Sequence, residues 1–96
     1  MNREEHPSLV LADTHVIPML LYIGEHEGCT RSDIYAAVAR SVNTPGKIDM
    51  LESGGLVEST VVGGVGRLTL TGVGAEVVER IREIDALIRR QSPKGP

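Results

Sequence analysis

Residues 54–71 read GGLVESTVVGGVGRLTLT: two runs rich in β-branched residues, Leu56 to Val62 and Arg67 to Thr71, separated by a glycine-bearing turn. β-Branched side chains fit the pleated surface of a strand, and Gly63, Gly64 and Gly66 supply the positive φ angles that a tight turn demands. The stretch therefore predicts an antiparallel hairpin. Two strands alone bury too little to stand in water, so the hairpin must lean on helices from the rest of the chain.

Those helices are legible on either side. Just upstream, Thr44, Ile48 and Leu51 recur at i, i+4 and i+7. Their helix opens at the turn Ser41-Val42-Asn43-Thr44-Pro45, carries Pro45 just inside its start, and stops after Ser53 at Gly54-Gly55. Before it, Thr30 is a good N-cap and Asp33 offers a carboxylate to free N–H groups, which predicts a second helix to about Arg40. A first helix is expected from a cap at Asp13 or Thr14 to about Glu27, with Pro18 in its first turn and Gly28 as its stop. Its apolar set, Val16, Ile17, Leu20, Leu21 and Ile23, is nearly continuous, as for a central helix contacted from more than one side. Downstream, Thr71 or Gly72 opens a helix to about Arg90, roughly 28 Å long at 1.5 Å per residue.

The resulting order, three helices, a hairpin and a long helix, is mainly α with a small β-hairpin (α+β). It divides into an N-terminal arm over 1–13, a winged helix-turn-helix core over 14–71, a C-terminal helix over 72–90 and a frayed tail over 91–96. Within the arm, residues 1–7 are polar, whereas Leu9-Val10-Leu11-Ala12 is expected to pack on a neighbouring element or on a second subunit.

The pattern Ile48-x-x-Leu51-x-x-x-Gly55-Leu56-Val57, followed by Leu68-Thr69-Leu70-Thr71-x-x-Gly74, resembles the winged-helix transcription regulators of the MarR and PadR type. The resemblance covers roughly residues 14–90. It implies a homodimer that binds double-stranded DNA, with the third helix in the major groove and the wing near the backbone or minor groove. Carried over by position, the outward groups of the third helix are Asn43, Pro45, Gly46, Lys47 and Met50. Asn can pair with adenine, and Lys with guanine or phosphate. Arg31 and Arg40 flank the second helix, where backbone phosphates would lie. Arg67 stands at the rim of the wing, either as a DNA contact or as a surface arginine paired with Glu58 across the hairpin.

Charge departs from that pattern. Over residues 28–71 the cations Arg31, Arg40, Lys47 and Arg67 are matched one for one by Asp33, Asp49, Glu52 and Glu58, and the whole chain carries −3. The wing tip, Val62-Gly63-Gly64-Val65-Gly66, has no charge at all. An uncharged, valine-tipped wing and a Gly-Pro-containing third helix also suit a module that contacts protein instead of DNA.

The last helix has its own pattern. Val77, Ile81, Ile84 and Ile88 form a short heptad seam, with Leu87 beside it, and Glu76–Arg80 and Asp85–Arg89 are i, i+4 pairs in the favourable order. The far half extends beyond what so small a core can cover, so Val77, Ile81, Ile84, Leu87 and Ile88 are expected to form a homodimer interface. The chain has neither Phe nor Trp, and small cores often gain stability by association.

Other chemistry finds little footing. Glu25-His26-Glu27-Gly28-Cys29 places metal-binding residue types together, but no second Cys/His pair completes a site, so no metal and no cofactor is expected. No nucleophile–base–orienter set is present, and Gly63-Gly64-Val65-Gly66 lacks the lysine and strand-to-helix setting of a phosphate loop. The chain is read as non-enzymatic. One cysteine, Cys29, fits a reducing compartment, and the acidic residues near the start do not suit a signal peptide, so the location expected is cytoplasmic. Val16 to Ile23 is too short to span a bilayer. No effector ligand is legible.

Overall fold

A computed structural model describes residues 4–91; of the tail expected over 91–96, Gln91 belongs to the last helix and the rest lies outside the described residues. The chain forms a 3₁₀ helix, Pro7–Ala12, then α1 (Val16–Glu25), α2 (Arg31–Ala37), α3 (Thr44–Ser53), β1 (Val57–Val62), β2 (Val65–Leu70) and α4 (Gly72–Gln91). The two strands pair antiparallel, with Val62 opposite Val65 and Val57 opposite Leu70. Two residues, Gly63 and Gly64, make the turn between them, both at positive φ (59° and 80°). Gly66 is not a turn residue. It sits in β2 opposite Val61, because two left-handed residues are enough to reverse a tight hairpin.

α1 is the hub. Val16, Met19, Leu20 and Ile23 are fully buried and meet Ile34 of α2, Ile48 and Leu51 of α3, Val57 and Leu68 of the hairpin, and Val78 and Ile81 of α4. Its ends differ from the expected ones. Neither Asp13 nor Thr14 occupies its cap position. The cap position is His15, held at φ 69°, and the helix closes at Glu25 with His26 as C-cap. The early stop frees the segment after it to bond the wing. Gly28 N–H donates to the Leu68 carbonyl and Leu68 N–H to that of Cys29, both at 2.8 Å. Cys29 thus forms a one-residue bridge beside β2 that local periodicity does not announce.

α2 begins as its sequence predicts. The Thr30 hydroxyl accepts from Asp33 N–H at 3.1 Å, and the Asp33 carboxylate accepts from Thr30 N–H at 2.9 Å. The helix ends at Ala37, short of Arg40. In α3 the inward set is Thr44, Ile48 and Leu51. The Thr44 hydroxyl reaches the Ala39 carbonyl at 3.4 Å and Ser41 at 3.2 Å, so this buried polar group is satisfied.

The junction between hairpin and α4 explains the Leu-Thr-x-x-Gly run. Thr71 accepts from Gly74 N–H at 2.9 Å, capping α4, and donates its hydroxyl hydrogen to the Gly55 carbonyl. Thr71 N–H bonds the Leu56 carbonyl at 3.1 Å. Gly74 lies so close to Leu56 that a Cβ there would overlap the Leu56 carbonyl group. Two glycine-flanked segments are thereby stitched into one joint, and the wing takes its angle from it.

Along α4 the expected seam splits. Ile81 is buried in the chain's own core and Val77 packs against it, whereas Ile84, Leu87 and Ile88 are 52%, 49% and 64% exposed. Arg80 pairs with Glu83 at 2.9 Å, one turn ahead of it, not with Glu76. No helix among the described residues is long and apolar enough to cross a membrane.

Candidate nucleic-acid interface

α2, the Val38–Asn43 connection and α3 form a helix-turn-helix, and β1 packs against α3. Pro45, Gly46 and Asp49 lie on the exposed side of α3, with Val42 and Asn43 exposed just ahead of it. Asn43 occupies the N-cap position, yet its side chain makes no cap hydrogen bond. The local bonds go elsewhere: Asn43 N–H donates to the Ser41 hydroxyl at 3.3 Å, and Ser41 and Thr44 share a hydroxyl contact. The carboxamide is left directed at solvent. Met50 is not outward with these residues; it is half-buried and lines an apolar cavity on another side of the domain.

The cations expected to meet phosphates are mostly engaged within the protein. Arg31 binds Asp49 at 2.6 Å and Glu52 at 3.3 Å, and donates to the Pro45 carbonyl at 3.4 Å. Its partial burial pulls the guanidinium pKa down, but hydrogen bonds to Asp49 and Tyr35 and the charges of Asp49 and Glu52 outweigh that and hold it above its usual value. Arg31 is thus a strut from α2 to α3, because two carboxylates on α3 face it. Lys47 donates to the Thr14 carbonyl at 2.7 Å, tying α3 to the approach of α1. Arg67 does not pair with Glu58. It lies opposite Thr60 in the ladder and donates to the Gly28 carbonyl at 3.2 Å. Arg40 is exposed and holds no ion pair among the described residues.

The wing rises beside this surface. Val61, Val62 and Val65 are exposed at its tip, and a shallow cleft of about 330 Å³ separates Gly64, Val65 and Gly66 from Thr30, Arg31 and Ser32 at the start of α2. A larger apolar cavity, about 570 Å³, opens elsewhere between the 3₁₀ helix, the end of α3 and the start of α4, lined by Val10, Leu11, Met50, Leu56, Val73 and Val77 among others.

Cys29 is a buried free thiol. Burial foremost, then the nearby Asp33 and Glu27 carboxylates, raise its pKa against a smaller lowering by its backbone hydrogen bond, which makes it a poor nucleophile and a poor metal ligand. Among the described residues no three His, Cys, Asp or Glu side chains gather closely enough to hold a metal ion.

Two features escape sequence reasoning. The clamp of Asp49 and Glu52 on Arg31 joins residues 18 and 21 positions apart with no periodic signature. The other is the exposure of Val42, for which an apolar residue inside the polar turn Ser41–Pro45 is the available signal.

A helix-turn-helix with a β-hairpin wing and a closing long helix is the winged helix-turn-helix fold. Among solved structures it is similar to the transcriptional regulator SlyA at a TM-score of 0.68 and 18% identity, over 95% of this chain and 67% of that one. It is also similar to MarR (0.64, 15%, 97% and 80%). A third likeness is to a MepR A103V mutant from a multidrug resistant S. aureus clinical isolate (0.64, 23%, 83% and 65%). The chain spans about two thirds of the length of SlyA and MepR. No family model and no curated protein sequence matches it. The fold is of the MarR type.

Proposed function

We propose that the protein is a homodimeric, non-catalytic DNA-binding regulator that lays α3 in the major groove and rests its wing on the flanking backbone. The observation that carries this is the open face of α3, with Val42 and Asn43 leading into it, uncovered by any element among the described residues, in a fold similar to that of the transcriptional regulator SlyA. Arg40, exposed and without an ion pair among the described residues, is the leading phosphate contact, with Arg67 second because its bond to the Gly28 carbonyl is weak and solvent-exposed. Arg31 and Lys47 act first as struts that set the pose of α3.

Dimerisation rests on α4. At 100° per residue, Val73, Val77, Ile84, Leu87 and Ile88 share one face. Its first half lines the 570 Å³ apolar cavity, and its second half is bare. An antiparallel second copy of α4 would set the bare half of each helix over the cavity of the other, filling both at once as a two-fold contact requires.

A second reading, a winged helix that contacts protein, is favoured by the exposed, uncharged valines of the wing tip. Titration of random duplexes at low and moderate salt separates the two. Binding whose logarithm falls linearly with log salt is expected, and Arg40→Ala should flatten that slope by about 0.9, one phosphate contact. Absence of duplex binding at low salt would leave the protein-contact reading in possession of the wing.

A further inference from the structure

We infer that α3 selects A·T base pairs, with Val42 packing on a thymine methyl group and Asn43 bonding the edge of an adjacent adenine. This rests on the DNA-binding reading and names what that surface recognises.

The chemistry of the exposed face decides it. Val42 is 94% exposed, the largest value among the exposed large hydrophobic residues described. A lone surface valine is ordinary, but this one stands next to the free carboxamide of Asn43 at the leading end of the helix that would face the bases. Thymine alone presents a methyl group in the major groove, and a carboxamide matches the paired donor and acceptor of adenine. Pro45 adds apolar surface, and Gly46 offers none: open space surrounds its missing Cβ, so α3 can lie close to the base edges there.

On α3 and in the Arg31 strut, what recognises G·C pairs is absent or occupied, and the exposed Arg40 is the phosphate contact of the proposed complex. Guanine is read by Arg or Lys and cytosine by a carboxylate. Lys47 is held by the Thr14 carbonyl at 2.7 Å, and Arg31 and the exposed Asp49 neutralise each other at 2.6 Å. To read guanine or cytosine, these groups would first have to give up partners they already hold. Val42 and Asn43 give up nothing.

The test uses the full chain. Duplexes are selected from a random pool, and the enriched site is compared with versions in which one thymine at a time is replaced by deoxyuridine, which removes only the methyl group. Adjacent A·T pairs should be enriched in each half-site, and one uracil replacement should weaken binding about fourfold, the worth of one buried methyl. Val42→Ser should bind the thymine and deoxyuridine duplexes alike, since the methyl group then has no apolar partner. Asn43→Ala should lose about 5- to 150-fold of the preference for A·T over G·C at its position. Both side chains are solvent-exposed, so neither variant threatens folding, and unchanged melting confirms that. Enrichment of G·C, or indifference of the native chain to uracil, overturns the inference while leaving DNA binding intact. No duplex binding at all overturns both.

Discussion

Gly74 and Gly46 both lie in helices, and a methyl group would meet opposite surroundings at the two. At Gly74 it would run into the backbone of Leu56, which cannot yield without moving the hairpin joint. Gly74→Ala should therefore cost about 1–3 kcal/mol, the usual penalty for overpacking a tight site. In a domain of this size each kcal/mol lowers the melting temperature by about 4–8 °C. At Gly46 nothing lies within 4 Å of the added Cβ. Gly46→Ala should stabilise the free protein by roughly 0.5–1 kcal/mol through helix propensity and a less flexible unfolded chain. Chemical denaturation of the two variants checks the pair, and shifts of the same sign would contradict the packing described. Only the first glycine has its reason in the fold itself. The second is left for the surface that α3 presents.

Between elements, the Arg31 strut governs how much positive charge the helix-turn-helix offers. Its ion pair with Asp49 is partly solvated, so its direct worth to stability is about 1 kcal/mol or less. Its electrostatic worth to a polyanion is larger, since the pair hides a cation and keeps an anion on the exposed side of α3. Asp49→Asn should leave folding nearly unchanged, with Glu52 still holding Arg31 at 3.3 Å. It should tighten binding to duplex DNA at low salt and steepen the log-affinity against log-salt slope by up to about 0.9 if Arg31 then reaches a phosphate. Salt titration of the variant beside the native chain decides it; an unchanged slope and affinity would mean that Asp49 stands away from the bound duplex. The α2 cap belongs to this scale too. Thr30 and Asp33 close a reciprocal pair of bonds over three residues, which is why that helix start can be read directly from the chain.

At the scale of the whole molecule, a core without Phe or Trp ends at Ile81, and α4 continues for ten residues beyond it. Ile84, Leu87 and Ile88 then stand in water beside an apolar cavity that continues along the same face of the helix. Covering both removes apolar surface at about 25 cal/mol per Å². The native chain should be a dimer at micromolar concentration. Ile84→Glu combined with Ile88→Glu should dissociate it, because each change would bury a charge against an apolar partner. Those positions are exposed within one chain, so the monomer should remain folded. Sedimentation equilibrium with circular dichroism reads both quantities, and a monomeric native chain would rule out the α4 pairing.

The amino-acid sequence by itself determined whatever depends on neighbours three or four residues away, or on one residue's own backbone. The inward row Thr44, Ile48 and Leu51, the Thr30–Asp33 box and the existence of a glycine turn in the wing are all of this kind, although Gly66 proved to lie in β2 and not in that turn. The order of helices and hairpin follows from them, and with it the winged-helix architecture. Tertiary structure alone decided where the long side chains go. Lys47 finds a carbonyl 33 residues away, Arg67 one 39 residues away, and Arg31 a carboxylate 18 residues away. The Cys29 bridge to Leu68 and the division of the α4 seam between core and solvent have the same origin. A flexible cation bonds whichever oxygen the helix crossings bring within reach, and those crossings come from packing the whole core, so no local period records them. The candidate interface was therefore legible as a place on the fold, with Asn43 among its outward residues and its charges balanced, while the capture of Arg31, Lys47 and Arg67 by internal partners and the exposure of Val42 emerged only once every partner had been placed.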